Sequence, residues 1–304
     1  MAINEAKYIW MDGELVEWKN ATVHVLTHTL HYGSGVFEGL RCYNTPDGPA
    51  IFRLREHMER FDRSARMIMM PTPYSVDEMC NAVIETVKAN NLPDCYIRPL
   101  MYRGYGAMGL DPRPAPVKLM VAAWEWPSFL GKEAQENGLP VGISSWRQRG
   151  ANSHPGAIKA TGNYLNSSLA RMESDAHGYQ EAILLTEDGH VCEGTGENLF
   201  IVRDGILSTP PLSDGPLEGI TRSTIMQLAV DMEIPVLEES LIRTDLYAAD
   251  EMFMTGSAAE LVPVSSVDGR EIGKPGEITK KLQKAYFDVV RGELAGYDDW
   301  LEYV

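Results

Sequence analysis

The sequence predicts an α+β fold in two domains, with hairpin-rich sheets and helices packed beside them. β-rich segments separated by turn dipeptides recur in both halves of the chain, and segments of helical periodicity lie between groups of strands. A polar stretch with prolines at both ends, Pro127 to Pro140, separates the two halves. The length of 304 residues also favours two domains over one.

The first half opens on a predicted hairpin over residues 8–18, whose strands flank an Asp-Gly turn. Residues 51–54 begin as a strand and continue as a helix, because apolar side chains then recur at helical spacing. The predicted buried stripe of this helix consists of Leu54, Met58, Phe61, Ala65 and Ile68.

Ser75 and Glu78 form a capping-box pattern, which predicts that a second helix begins directly after Ser75. Two β-rich runs follow it, at 95–102 and 117–126. The loop that joins these runs, residues 104–116, is rich in glycine and proline and is too long for a tight turn. We therefore interpret this loop as a candidate lid.

The second half continues the alternation of strands and helices, with an Asp-Gly dipeptide inside each predicted hairpin. Its predicted elements are a strand at 141–146, a helix at 163–177, hairpins at 182–193 and 198–207, a helix that begins at 219, a strand at 251–254 and a last helix at 277–294.

The bulk composition is that of an ordinary globular protein, with 44% hydrophobic and 23% charged residues. The formal net charge of -16 argues against a nucleic-acid or anionic-membrane partner, because no basic face is available to meet phosphates. The first twenty residues show no signal-peptide pattern, and the longest apolar run, Leu119 to Trp124, is too short to span a bilayer. We expect a cytoplasmic protein.

Neither the cysteines nor the histidines are spaced as metal ligands, so no metal site is predicted. His24, His28 and His31 lack carboxylate or cysteine partners in register and are interpreted as ordinary hydrogen-bonding side chains. The scattered cysteines are interpreted as reduced, partly buried thiols, and they are Cys42, Cys80, Cys95 and Cys192.

The most informative stretch for function runs from residue 157 to residue 200. Lys159 has small or apolar neighbours, which is unusual for a surface lysine and leaves three roles open: a buried ion pair, an anion contact or a Schiff base. Tyr164 follows five residues later, and Glu193 ends a strand and opens a glycine-rich turn. An amine, a phenol and a carboxylate are the groups that the ring of pyridoxal phosphate requires.

Two further segments could bind a phosphate. Residues 219–221 begin a helix with a glycine and a hydroxyl, where free N–H groups and the helix dipole converge. Residues 256–258 form a turn of small residues after a strand. Arg60 lies off the apolar stripe of its helix and is interpreted either as a solvated arginine or as a counter-charge for such an anion.

Four longer motifs relate the chain to a known family. They are residues 31–39 (HYGSGVFEG), 96–98 (YIR), 193–200 (EGTGENLF) and 219–222 (GITR). With these motifs in this order, the chain resembles the branched-chain amino acid aminotransferases, pyridoxal-phosphate enzymes of fold type IV. The resemblance extends from Tyr8 to the last helix, which is nearly the whole length.

The resemblance implies a homodimer as the minimal unit, or a higher homo-oligomer, whose neighbour lends Tyr32 and Leu110 to each pocket. It implies a small domain at 1–126, a linker at 127–136 and a large domain at 137–304, with the cofactor between the domains. By the same resemblance, Lys159 is the Schiff-base lysine and the acid/base of catalysis, and the other residues that bind pyridoxal 5'-phosphate are Arg60, Tyr164, Glu193, Leu217, Ile220, Thr221 and Ser257.

The implied reaction is the transfer of the amino group of L-leucine, L-isoleucine or L-valine to 2-oxoglutarate by a ping-pong mechanism. Arg98 would receive the side-chain carboxylate of glutamate. At Phe129 the well-known bacterial enzymes carry a tyrosine, so this chain lacks a hydroxyl directed at glutamate. The residues expected to bind substrate are Tyr32, Phe37, Gly39, Tyr96, Arg98, Leu110, Trp126, Phe129 and Ala258.

Other functions share the same fold type, namely D-amino acid transaminase, (R)-amine transaminase and aminodeoxychorismate lyase. Residues 36–39 and 96–98 argue against them, because relatives with those activities differ at these positions. A cofactor-free binding protein is a further alternative. The joint presence of Lys159, Tyr164, Glu193 and Arg60 argues against that alternative.

Overall fold

The computed structural model describes residues 3–126, 131–148, 150 and 152–304. The strands of this part of the chain are β1 (Tyr8–Met11), β2 (Glu14–Glu17), β3 (Gly35–Phe37), β4 (Leu40–Thr45), β5 (Gly48–Phe52), β6 (Cys95–Arg103), β7 (Val117–Trp124), β8 (Leu139–Arg147), β9 (Glu181–Leu185), β10 (Val191–Gly194), β11 (Asn198–Arg203), β12 (Ile206–Thr209), β13 (Val236–Glu238), β14 (Glu251–Gly256), β15 (Glu260–Val267), β16 (Arg270–Glu271) and β17 (Leu301–Tyr303). The helices are α1 (His28–Tyr32), α2 (Leu54–Met67), α3 (Val76–Asn90), α4 (Lys132–Asn137), α5 (Tyr164–Ala176), α6 (Ile220–Asp231), α7 (Arg243–Tyr247) and α8 (Glu277–Val290).

The chain divides into two compact units that do not follow a single cut in the sequence. The first unit comprises Met1–Pro127, Ile158–Gly162 and Val289–Val304, and the second comprises Ser128–Ala157 and Asn163–Asp288. The domain boundaries implied by the family resemblance stay predictions. None of the helices in the described part of the chain has the length and apolarity needed to cross a bilayer.

The first unit contains an antiparallel sheet in the order β17-β5-β4-β6-β7-β1-β2, with β3 paired to the far part of β6. The predicted hairpin at the start of the chain is present as β1 and β2. Its turn residues Asp12 and Gly13 both have positive φ, 48° and 100°, as a two-residue hairpin turn requires.

Because β3 and β4 both pair with β6, the sheet brings residues 35–37 and 40–42 next to residues 95–102.

Helices α2 and α3 pack against each other, and their apolar faces form a core with the sheet. The predicted stripe of α2 is confirmed at Leu54, Met58, Phe61 and Ala65, which are at most 2% exposed. Ile68 is only partly buried because it lies at the C-terminal cap, where the helix ends. The predicted capping box of α3, in which the side chains of Ser75 and Glu78 exchange hydrogen bonds with main-chain N–H groups, is also present.

The second unit contains a mixed sheet in the order β10-β9-β8-β15-β14-β11-β12-β13, with β16 paired to β15. The two predicted hairpins are present as β9–β10 and β11–β12. The sequence did not predict the parallel pairs β8–β9, β8–β15 and β12–β13. The connection between β8 and β9 is long enough for parallel pairing, and it carries α5, a helix that packs on both strands.

Candidate active site

In the first unit, the lysine segment lies along β3. Val36 forms an antiparallel bridge with Ala160, and the N–H of Phe37 donates to the carbonyl oxygen of Lys159 at 3.0 Å. The N–H of Lys159 in turn donates to Ser64 Oγ at 3.4 Å. The Lys159 side chain is half-buried, and its Nζ lies 5.1 Å from the centre of the Phe37 ring. Main-chain contacts on both sides therefore fix the backbone from which this amine extends.

Arg98 lies on the same aromatic ring. Its guanidinium carbon is 4.7 Å from the centre of the Phe37 ring, and one terminal nitrogen donates to the hydroxyl of Tyr96 at 2.9 Å. Within the described residues, the buried Nε of Arg98 has no hydrogen-bond partner. A buried donor without a partner is costly, so this guanidinium suits an incoming carboxylate.

Tyr96 and Trp126 form an apolar wall next to this arginine. Tyr96 is 4% exposed, and its ring stands nearly perpendicular to that of Trp126, with the ring centres 4.6 Å apart. A Cβ added at Gly39 would lie 2.1 Å from the Tyr96 hydroxyl. Only glycine fits at position 39 while Tyr96 keeps this place.

Arg60 is buried and paired, so its interpretation as a solvated arginine is wrong. Its Nε and Nη2 donate to the two carboxylate oxygens of Glu38 at 2.7 and 2.8 Å, and His57 Nδ1 lies 2.8 Å from the same carboxylate. Burial opposes the charge of Glu38, but Arg60 and His57 outweigh it and hold the pKa of Glu38 well below its usual range. Burial lowers the pKa of His57, with Glu38 opposing and the charges of Arg60 and Lys159 adding to the shift.

The two residues expected to serve a neighbouring subunit are both exposed in this chain. Tyr32 is 43% exposed and Leu110 is 89% exposed. His28, which is buried, connects their segments: its ring centre is 4.6 Å from that of Tyr32, and its Nε2 lies 2.8 Å from the Gly109 carbonyl oxygen. Phe129 lies outside the described residues.

In the second unit, the Glu193 carboxylate is held from two sides. Gln148 Nε2 donates to one oxygen at 2.6 Å, and the N–H of Leu217 donates to the other at 2.9 Å. The Leu217 carbonyl accepts from Asn198 Nδ2 at 2.9 Å, so both main-chain groups of Leu217 are fixed. A register shift in β10 between Val191 and Glu193 accompanies this arrangement.

The N-terminus of α6 has the features of an anion site. Its N-cap residue is Gly219, which provides no capping side chain, and the first helical residues Ile220 and Thr221 are 8% and 4% exposed. A Cβ at Gly219 would lie 1.9 Å from Asn198 Oδ1, so glycine is required there. First-turn N–H groups and the helix dipole favour an anion at such a terminus.

The turn with Ser257 and Ala258 follows β14 directly, and it lies beside the glycine-rich turn after Glu193. A Cβ at Gly256 would be 3.2 Å from the Gly196 carbonyl oxygen. Among the described residues, the buried hydroxyl of Thr255 has no hydrogen-bond partner. Tyr164, half-buried, is the first residue of α5.

The structure thus gathers most of the predicted residues into one cluster in each unit. The first contains Phe37, Gly39, Arg60, Tyr96, Arg98, Trp126 and Lys159, and the second contains Glu193, Leu217, Ile220, Thr221, Ser257 and Ala258. The sequence assigned no role to Glu38, His57, Gln148 or Asn198. A carboxylate between Phe37 and Gly39, in an otherwise apolar segment, was a detectable signal for Glu38, whereas nothing marked Gln148.

Comparisons with known proteins agree on one family. Residues 35–267 match the family model described as amino-transferase class IV. The chain is 46% identical over 305 residues to the branched-chain-amino-acid aminotransferase of Salmonella typhimurium, with 99% of each chain covered.

The fold is also similar to solved structures. The branched-chain amino acid aminotransferase of Escherichia coli gives a TM-score of 0.96 at 46% identity, covering 98% of this chain and 99% of that one. The branched-chain amino acid aminotransferase from Thermobaculum terrenum, solved in its PLP-form, gives 0.91 at 37% identity, covering 98% of both chains.

Proposed function

The chain belongs to the class IV aminotransferases and is a pyridoxal-phosphate-dependent enzyme, and from that premise we propose that it moves the amino group of L-leucine, L-isoleucine or L-valine to 2-oxoglutarate. The proposed course is ping-pong: the amino acid reacts and leaves as its 2-oxo acid before the acceptor enters the same pocket.

One observation carries the proposal. Lys159 Nζ lies 5.1 Å from the centre of the Phe37 ring, and the guanidinium carbon of Arg98 lies 4.7 Å from the same centre. A reactive amine, an apolar wall and a carboxylate receptor therefore share one place. An apolar wall fits the branched side chain of leucine, and the guanidinium fits the side-chain carboxylate of glutamate. A transaminase that pairs these two substrates needs both features in one pocket.

The described residues fit pyridoxal phosphate. Glu193 offers a carboxylate whose orientation is fixed by Gln148 and by the Leu217 N–H, as a partner for a ring nitrogen must be. The start of α6 at Gly219 has no capping side-chain hydrogen bond, and the main-chain N–H groups of such a helix terminus favour a phosphate. Tyr164 would donate to the ring hydroxyl.

When bound, pyridoxal phosphate supplies an electron sink for the electrons released at the substrate Cα. Lys159 would hold the cofactor through its Nζ and, when that Nζ is free, would move the proton released at the substrate Cα. The main-chain bonds to Phe37 and Ser64 would hold the segment from which this amine extends. Leu217 would contact the ring, and the phosphate would be bound by Arg60, Ile220, Thr221 and Ser257.

For the substrate, we propose that Phe37, Tyr96 and Trp126 line the side-chain pocket and that the main chain near Ala258 receives the α-carboxylate. Arg98, which has a buried donor without a partner in the described residues, binds the distal carboxylate of glutamate. Because Phe129 has no hydroxyl, the acceptor would be held by one hydrogen bond fewer, which costs on the order of 1.5–3 kcal/mol.

We propose a homodimer in which Tyr32 and Leu110 complete the neighbour's pocket. The exposure of both side chains, 43% and 89%, supports this, since each side chain is available to contact a neighbouring chain. Sedimentation of the holoenzyme would test it: a monomer with full activity would contradict the shared pocket.

The test of function is steady-state transamination with varied amino donor and varied 2-oxoglutarate. We expect turnover with L-leucine, L-isoleucine and L-valine and parallel lines in double-reciprocal plots, as a ping-pong course requires. Intersecting lines would contradict the ping-pong course, and absence of turnover with all three donors would contradict the substrate assignment.

A further inference from the structure

Helix α2 directs an unusual set of polar side chains into the interior of the first unit. His57, Arg60 and Ser64 are 2%, 5% and 1% exposed, and their spacing places them on one helix face. Buried polar groups need partners, because burial without them costs stability. Ser64 finds one in the N–H of Lys159, so this face of α2 adjoins the lysine segment.

His57 and Arg60 share a single partner, the Glu38 carboxylate, which is fully buried. It receives Arg60 Nε and Nη2 at 2.7 and 2.8 Å, His57 Nδ1 at 2.8 Å and the N–H of Gly39 at 3.2 Å. A carboxylate that is this fully hydrogen-bonded has one orientation, and a guanidinium bound to it through two nitrogens has one orientation as well.

The position of Glu38 in the chain connects this pair to the catalytic lysine. Glu38 directly follows Phe37, whose N–H is bound to the carbonyl oxygen of Lys159. The same short segment therefore holds Lys159 through its main chain and Arg60 through a side chain. Any shift of the guanidinium relative to the lysine would require this segment to move.

We propose that Glu38, oriented by His57, is a positioning residue that fixes Arg60 for the phosphate of the cofactor. The inference rests on the proposed function, in which Arg60 binds that phosphate. If Glu38 only balanced the charge of Arg60, its removal would strengthen cofactor binding, because Arg60 would attract a phosphate more strongly. If Glu38 positions Arg60, its removal would weaken cofactor binding. The sign of the effect on cofactor affinity thus separates positioning from charge balance.

The experiment is titration of the apoenzyme with pyridoxal phosphate, with the dissociation constant read from absorbance and the bound phosphate followed by phosphorus NMR. Glu38→Gln should bind the cofactor about tenfold more weakly, since a charge-assisted pair is lost. In an Arg60→Gln background, Glu38→Gln should cause no further loss, because Glu38 acts through Arg60. Asn90→Ala is the matched control, because Asn90 is a buried polar residue of α3 bonded to Lys7 and Tyr8.

The control should lose thermal stability and keep the wild-type dissociation constant. Unchanged or tighter binding by Glu38→Gln would overturn the inference, and so would an equal loss with and without Arg60. If Glu38→Gln does not fold, two variants of His57 provide the test. His57→Phe should weaken the binding of pyridoxal phosphate several-fold. His57→Asn keeps a donor for Glu38 and should bind pyridoxal phosphate as the wild type does. Equal binding by those two variants would also overturn the inference. Failure of the wild-type chain to bind pyridoxal phosphate would instead refute the proposed function.

Discussion

The main-chain N–H of Phe37 donates a hydrogen bond to the carbonyl oxygen of Lys159 at 3.0 Å, although the two residues are far apart in the sequence. This bond joins the strand that precedes Glu38 to the segment that carries the proposed catalytic amine. Main-chain pairing therefore holds the Lys159 segment. Replacing the side chain should leave the segment in place.

Lys159→Ala should abolish transamination and leave a folded protein. In the proposed mechanism the amine holds the cofactor and moves the proton, whereas the main-chain bonds to Phe37 and Ser64 do not involve the side chain. The measurements are turnover with L-leucine and thermal unfolding of both proteins. Appreciable turnover by a folded variant would contradict the assignment of Lys159.

Gln148→Met should reduce kcat about tenfold, because Glu193 loses the 2.6 Å hydrogen bond that orients its carboxylate. The matched control is Gln227→Met, an exposed residue of α6 whose amide contacts Asp231. Steady-state kinetics of both variants would be compared with the wild type. The same kcat in both variants would show that orientation by Gln148 has no role in the reaction.

Phe129→Tyr should strengthen the use of 2-oxoglutarate more than the use of leucine. The added hydroxyl can hydrogen-bond a carboxylate and has nothing to bond on a branched apolar side chain. The expected result is a lower KM for 2-oxoglutarate with little change for L-leucine. Equal effects on the two substrates would show that the acceptor does not contact this position.

Glu197→Gln should change how stability depends on pH. Glu197 is 4% exposed, and burial, with the charge of Glu181 next, raises the pKa of Glu197 to about 8, above the ordinary value of 4.5. Between those values the folded state keeps a proton that the unfolded chain loses, so the contribution of Glu197 to stability falls as pH rises from about 4.5 to about 8.

Glutamine cannot ionise, so the variant should escape this loss. The thermal midpoint of Glu197→Gln minus that of the wild type, measured on the apoenzyme, should increase across this pH range and level off above it. The apoenzyme is used so that cofactor binding does not contribute. A difference that stays constant with pH would show that Glu197 does not gain a proton on folding.

Local patterns predicted much of the fold. Leu54, Met58, Phe61 and Ala65 could be assigned to the core because helical periodicity depends only on neighbouring residues. Parallel pairing of β8 with β9 could not be predicted, because it depends on how a long connection returns to the sheet.

The burial of Arg60 was missed for the same reason. Its partner Glu38 is 22 residues earlier, on a different element, and only the fold brings the two together. The groups that donate to the Glu193 carboxylate also come from distant segments, at Gln148 and Leu217. The motifs predict the reacting groups, and the long-range contacts of the fold show which side chains and main-chain groups are bound to them.

The most direct test of the proposed activity is the first half-reaction, observed without an acceptor. The holoenzyme would be mixed separately with L-leucine, D-alanine and (R)-phenylethylamine, and the visible absorbance of the bound cofactor followed in time. Rapid loss of that absorbance with L-leucine alone is the predicted result. Loss mainly with D-alanine or (R)-phenylethylamine would contradict the branched-chain assignment and indicate a D-amino acid or (R)-amine transaminase.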